Sequence, residues 1–385
     1  DSAPQLINET IVLNEDSSAS SAGNTFILAD EFVSGSGSSS LTLAGADISA
    51  TNATVTIDEN GADVTISGKT AVGTVTSNGD GSISFVPASN FSGTVTVDYT
   101  IIDFDGDIAT TELTFEVTPI ADAPTMQDNI SLSTYEDNSW NGTSHDGDKV
   151  NIVALGLIVP TITDATDLTS GADDASERLS ALTFKFGSNK DFDGAVVKYD
   201  SNGDGTLDAT LQTVNRGDSF TIMISDITDY HPNGTTATYS LTQAQYNSLV
   251  IIPEADNAND ISFTISTESH EVQDNGDLYA TDIVSATKTQ TVDIDVKAVT
   301  DPVTLREDTS ATNTNYDGVD DQVMNITIAE DTTLDLAALL VQTFGDNDSS
   351  ESHYFDVSGL EPGTKITIGG TTRTADDSGN IDRVE

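Results

Sequence analysis

Cysteine is absent from the 385 residues. Its absence excludes disulfide staples and thiolate zinc sites. Basic side chains are scarce: 13 Lys and Arg face 64 Asp and Glu, a net charge of -51. Such a balance argues against nucleic acid, which needs a basic face, and against anionic membrane surfaces. No apolar run is long enough for membrane insertion in this segment. No basic-then-apolar leader opens the chain, and its first residues read as the end of a linker in a longer protein. The four histidines, His145, His231, His270 and His353, fall in no metal-ligand spacing, and no G-x-S-x-G elbow is present. Each histidine reads as a surface residue rather than a general base. No catalytic residue is assigned and the chain reads as no enzyme, because paired carboxylates are too common here to single out a glycosidase pair.

What is present is steady alternation of Val, Ile, Thr and Phe with polar residues, broken by Gly, Asn, Asp and Ser. That pattern predicts an all-β protein. Runs at Thr54–Ile57 and Val64–Ile66 flank the turn Glu59-Asn60-Gly61 and read as a hairpin-like pair. Further strands are expected at Ser82–Pro87, Gly93–Tyr99, Ala181–Phe186, Ala195–Tyr199, Ser219–Ile224, Ser248–Ile252, Ile261–Ile265 and Thr291–Val296. One short helix is expected at Thr242–Tyr246, capped by Thr242. Strand density predicts tandem β-sandwich domains, divided at 1–121, 122–300 and 301–385, with the last cut or split about half a unit in.

The negative charge gathers at recurring places. Asp103, Asp105 and Asp107 alternate with Phe104 and Gly106, just before the linker that carries Asp122. Glu136-Asp137 follows Asp122 by fourteen residues, as Glu15-Asp16 follows Asp1. Asp301 repeats the linker aspartate, with Asp274 and Asp277 in the corresponding acidic loop. Two carboxylates about 5 Å apart repel by roughly 0.8 kcal/mol even in water. Clusters of this kind are expected to hold Ca2+, the hard cation suited to all-oxygen sites. The reading places Asp103, Asp105, Asp107, Asp122, Glu136 and Asp137 in one shared site. The alternative is polar turns, since Asp and Gly form turns anyway.

The segment Asp200-Ser201-Asn202-Gly203-Asp204-Gly205-Thr206-Leu207-Asp208 matches the first nine positions of a calcium loop. Asp200, Asn202, Asp204 and Asp208 would supply side-chain oxygens and Thr206 its carbonyl. Leu211 occupies the place of the final glutamate and the flanks look like strands, so the motif is no helical EF-hand. An Asx-type hairpin turn is the competing reading. Asp174 and Glu177, repeated as Asp348 and Glu351, form a third class of acidic cluster. The lone tryptophan, Trp140, lies in a polar stretch with His145 and is a weak candidate for a ligand platform.

Phe91–Thr100, Asp103–Asp107 and Val117–Pro124 make the first unit resemble the Ig-like, cadherin-like and VCBS-type repeats of large bacterial surface proteins. Asp174–Glu177, Leu241–Leu249 and Val296–Asp301 make the rest resemble the repeats of type I-secreted RTX adhesins. The resemblance implies an elongated extracellular array at the surface of a Gram-negative bacterium, folded and stiffened by calcium, serving adhesion and biofilm formation. Its implied partners are calcium and the neighbouring domains of the same long chain. A host or microbial glycan or peptide held by the second domain is the alternative.

Overall fold

The computed structural model describes residues 9–18, 25–27, 42–50, 53–57, 62–65, 71–77, 82–102, 108–136, 151–162, 176–188, 192–227, 237–273, 283–299, 304–307, 333–334, 340–343, 354–368 and 370–384. Outside these lie the candidates Asp103, Asp105, Asp107, Asp137, Asp174, Asp274, Asp277, Asp301, Asp348, Glu351, Trp140 and His145.

The chain is nearly all β, with one helix among the described residues. Its first strands are β1 (Glu9–Asn14), β2 (Thr25–Ile27), β3 (Thr42–Ala50), β4 (Ala53–Ile57) and β5 (Ala62–Thr65). β6 (Ala71–Ser77), β7 (Ser82–Pro87), β8 (Gly93–Ile102) and β9 (Ile108–Thr118) complete the set. They form two sheets, ordered β1-β9-β8-β3-β4 and β2-β7-β6-β5. Phe85 from one sheet meets Phe115 from the other with ring centroids 4.7 Å apart, so the sheets face each other across a core. Leu13, Phe91, Val95 and Val117 fill the rest of it. At Gly73 a β-carbon would stand 2.6 Å from the Phe85 ring, so that crossing needs a glycine. The expected hairpin between Thr54–Ile57 and Val64–Ile66 is not one. β4 pairs with β3 and β5 with β6, so the two strands belong to different sheets. Turn residues look alike whether they close a hairpin or carry the chain across a sandwich.

A second sandwich follows. Its strands are β10 (Ile130–Tyr135), β11 (Val153–Ala154), β12 (Ser176–Leu179), β13 (Leu182–Phe186), β14 (Ala195–Tyr199) and β15 (Ala209–Val214). Then come β16 (Ser219–Ile224), β17 (Tyr239–Leu241), helix α1 (Gln243–Asn247), β18 (Val250–Ile252), β19 (Ile261–Thr267), β20 (Ser269–Val272) and β21 (Lys288–Lys297). The sheets are β10-β21-β19-β13-β16-β17 and β11-β18-β14-β15, with β12-β20 as a separate pair. Alternation in β13 and β19 sends Phe184, Phe186 and Phe263 inward beside Phe220. Phe184 stacks on Phe220 at 5.0 Å and Phe186 lies 4.9 Å from Phe263. Burying each such ring is worth roughly 2–3 kcal/mol. Thr242 caps α1 as expected, in a full capping box with Gln245.

Beyond Thr304 the described strands form three antiparallel pairs. β22 (Thr304–Glu307) joins β23 (Leu340–Thr343), β24 (Phe355–Val357) joins β27 (Ile381–Val384), and β25 (Lys365–Ile368) joins β26 (Thr371–Thr374). No helix among the described residues is long and apolar enough to cross a membrane.

Candidate metal sites

Glu15 is inside because of its phase. Along β1 the inward positions are Ile11 and Leu13, and Glu15 is the next on that face, only 4% exposed. Its backbone N–H donates to the Thr118 carbonyl at 3.1 Å, one step past the ladder between β1 and β9. Its Oε1 accepts the Ile120 N–H at 2.6 Å. Glu136 repeats this. It continues the half-buried face of Ile130, Leu132 and Thr134 and is 1% exposed. It donates to the Lys297 carbonyl at 3.0 Å and accepts the Val299 N–H at 2.6 Å. Each sandwich therefore grips its own outgoing linker with a buried glutamate.

This arrangement corrects the shared site expected from the sequence. Glu136 stands at the 297–299 linker, whereas Glu15 stands at the linker of Asp122. The second sandwich meets Asp122 through Glu177 and Ser269. The Asp122 N–H donates to Glu177 Oε1, and Ser269 Oγ donates to the Asp122 carbonyl. Glu177 thus belongs to the joint rather than to a separate acidic cluster. Across the β12–β20 pair it lies opposite Glu271, which sequence reasoning missed; the two are 1% and 0% exposed.

Burial raises the Glu15 carboxyl from 4.5 to about 8; the Ile120 hydrogen bond opposes this, and repulsion from Asp16, Asp122 and Glu177 adds to it. Its Oε2 is buried with no hydrogen-bond partner. Asp16 sits in a left-handed conformation, φ 54°, and accepts the Asn90 N–H at 3.2 Å. The donors are all hard oxygens and one buried oxygen is unsatisfied, which fits a calcium ion. Among the described residues, no three acidic or histidine side chains already surround a single point at metal-binding distance. The carboxylates of the joint repel one another without yet forming a closed cage.

The loop from Asp200 to Asp208 joins the antiparallel strands β14 and β15. Asp200 Oδ1 accepts the N–H groups of Asn202 (3.2 Å) and Gly203 (2.7 Å), and its Oδ2 accepts that of Gly205 (2.7 Å). Asn202 Oδ1 accepts from Asp204, and Asp204 Oδ1 from Thr206. Asp208 takes both the N–H and the hydroxyl of Ser201 at 2.8 Å. Gly203 and Gly205, at φ 80° and 86°, supply the left-handed steps. Bonds to backbone amides, chiefly Gly205, hold the Asp200 carboxyl below the usual range, and the Ser201 N–H does the same for Asp208. The loop is a chain of Asx turns with four Asp and Asn side chains within nine residues.

His270 is buried, 1% exposed, against the expectation of a surface residue. Its Nε2 meets Ser180 Oγ at 2.6 Å, and the same nitrogen lies 3.7 Å from Glu268. A catalytic triad needs the carboxylate on the opposite ring nitrogen, so this trio lacks that geometry.

Residues 54–118 match the family model of a cadherin-like domain, which spans β4 to β9. No curated protein matches the chain. Among solved structures, the protocadherin GammaB4 extracellular domain aligns over 97% of this chain at 13% identity with a TM-score of 0.26. The chain spans 43% of the length of that protein. Human CDH23 EC21-23 aligns over 80% of this chain and 73% of its own length, at 12% identity and a TM-score of 0.28.

Proposed function

We propose that the chain is a calcium-stiffened extender of a bacterial surface adhesin, built of a cadherin-like sandwich at 1–121, a larger adhesin-repeat sandwich with a calcium loop at 122–300 and a partial adhesin-repeat sandwich at 301–385. It works outside a Gram-negative cell, holding ligand-binding domains away from the surface for adhesion and biofilm formation. One observation carries this reading. The short linker at Ile120–Asp122 is held by a buried glutamate of one sandwich and by Glu177 and Ser269 of the next. Bending at that point must disturb buried carboxylates on both sides.

Calcium at this joint would be held by Glu15, Asp16, Asp122 and Glu177, with Asp103, Asp105 and Asp107 contributed by the preceding loop. The second joint would use Glu136, Asp137, Asp274, Asp277 and Asp301. The loop of Asp200, Asn202, Asp204, Thr206 and Asp208 would take an ion of its own, and Asp174, Asp348 and Glu351 remain candidates beside their repeats. The ion supplies positive charge that cancels carboxylate repulsion. Free calcium at a hundred times the dissociation constant adds about 2.7 kcal/mol per site to the folded state. The secretion route rests on the repeat motifs alone. Calcium titration followed by small-angle scattering and thermal melts tests the reading. The expected result is a longer particle and a higher melting temperature with calcium. Unchanged length and melting temperature in EDTA would overturn it.

A glycan- or peptide-binding role for the second sandwich has one observation in its favour. A cavity of about 200 Å³ is lined by Ser180, Thr183, Thr221, Ser266, Glu268 and Thr287, among others. Its polar lining suits a hydroxylated ligand. Glycan and peptide arrays probed with the calcium-loaded chain separate this role from a pure spacer.

A further inference from the structure

Strand register lines up hydroxyl groups on the outer face of the six-stranded sheet. Thr183 of β13 stands opposite Ser266 of β19 on one side and opposite Thr221 of β16 on the other. Their neighbours Leu182, Phe184, Phe220, Ile222 and Ile265 are buried in the core, so these three side chains point away from it. The result is a row of hydroxyls on three adjacent strands about 4.8 Å apart. That step is close to the gap between hydroxyls on alternate carbons of a pyranose ring. The row continues to Thr238, whose N–H donates to Thr221 Oγ1 at 2.9 Å. Strands backed by packed aromatic rings hold such a row rigidly.

Thr183, Thr221 and Ser266 line the cavity of about 200 Å³, with Ser180, Glu268 and Thr287 beside them. Two of these groups are held by neighbours. Ser180 Oγ meets the buried His270 ring at 2.6 Å, and the Thr287 hydroxyl donates to Glu268 Oε2 at 3.3 Å. The Glu268 side chain is 37% exposed, and among the described residues no lysine or arginine pairs with it. No lining side chain among them is aromatic or basic. The volume is that of a handful of water molecules at about 30 Å³ each, room for one sugar ring. Recognition here rests on hydrogen bonds rather than on ring stacking. Glu268 and the net charge of -51 both repel anions. A carboxylate only accepts hydrogen bonds, and a charged donor such as an ammonium satisfies it best.

We propose that this cavity is a subsite for one amino-sugar residue, with its ammonium on Glu268 and its ring hydroxyls on Thr183, Thr221 and Ser266. The inference rests on the glycan-binding reading of the second sandwich and names the sugar it takes. A neutral sugar uses the same row without the gain from Glu268. An acidic sugar is repelled.

Three sugars test this: glucose, glucosamine with an ammonium on carbon 2, and glucuronate with a carboxylate at carbon 6. Each is titrated into the whole chain in calcium buffer, and the amide signals of Thr183, Thr221 and Ser266 are followed by nuclear magnetic resonance. Glucosamine should shift them at about fivefold lower concentration than glucose, the worth of one good exposed ion pair. Glucuronate should leave them unmoved. The gap between glucosamine and glucose should narrow in about 1 M salt, which screens exposed charges. Glu268→Gln should abolish the preference for glucosamine and change glucose binding less. Thr183→Val replaces a hydroxyl by a methyl at an outward position and should weaken both sugars about fivefold. Equal binding of the three sugars overturns the proposal, as does a preference that survives Glu268→Gln. Shifts confined to other parts of the second sandwich overturn this subsite and leave the glycan role standing. No response to any of the three also overturns it, and glycan arrays then judge the wider role separately. Should either variant not fold, the sugar series in the parent decides.

Discussion

Glu15 and Asp200 both accept backbone N–H groups, yet their surroundings push them in opposite directions. Glu15 accepts one amide, from Ile120, and is buried beside three other carboxylates, so its carboxyl rises to about 8. Asp200 accepts three amides in an open loop, so its carboxyl falls below the usual range. Hydrogen bonds to the charged form favour it in both places, and burial decides which way the balance goes. An exposed acidic loop holds its shape unaided. A buried acidic joint stays neutral or needs a counter-charge.

The largest expected effect follows from Glu15. Its folded pKa, about 8, lies above the ordinary 4.5. The folded chain therefore keeps a proton that the unfolded chain releases between those values. Without cation, stability should fall as pH rises through that window, by up to about 4 kcal/mol from this group alone. Glu15→Gln should flatten the fall, and calcium should reverse it by replacing the proton. Denaturant melts at pH 5 and pH 9 in chelator check this. A wild type that matches Glu15→Gln at both pH values would show that burial does not control the group.

A smaller effect is expected on the other side of the comparison, where α1 supports the loop. The Gln245 side chain donates to the Ser201 carbonyl at 2.9 Å, and Ser248 Oγ accepts the Asp200 N–H at 3.0 Å. Thr242→Ala removes half of the capping box and should cost about 1 kcal/mol in a thermal or denaturant melt. The change should be the same at pH 5 and pH 9, unlike that of Glu15→Gln. A pH-dependent loss would tie the loop to the joint and weaken the contrast between them.

Local features were legible in the sequence. The Thr242 cap, the Asx-rich loop and most strands depend on neighbours a few residues apart. The joint was legible only in part. Glu15 and Glu136 stood out as Glu-Asp pairs, but their partners lie more than a hundred residues away across parallel terminal strands. Fixed spacing along the chain suggested Glu136 for the Asp122 linker, and the fold brings Glu15 instead. A usable signal was present in the phase, since Ile11, Leu13 and Glu15 share one face, as do Ile130, Leu132, Thr134 and Glu136. Glu271 carried less warning. It lies in a four-residue strand buried on every residue, where alternation carries no information.

The smallest effect expected on global stability belongs to Asp200, and it isolates the loop most cleanly. Asp200 is half-buried in a surface loop and lies outside the apolar core, so removing its carboxyl unties the loop while uncovering no core. Asp200→Ala should leave the melting midpoint nearly unchanged in chelator while shifting the amide signals of Gly203 and Gly205, which lose their acceptor. In the parent chain those two signals should titrate with a midpoint below 3.8, because the folded pKa is depressed. The bonds persist above that midpoint and are lost as the pH falls through it. Nuclear magnetic resonance of the two glycine amides between pH 2 and pH 6 (roughly one unit either side of the ordinary carboxyl range) reads this directly. A midpoint above 3.8 would mean that repulsion from Asp204 and Asp208 outweighs the amide bonds. The loop would then resemble the joint and require a cation to close.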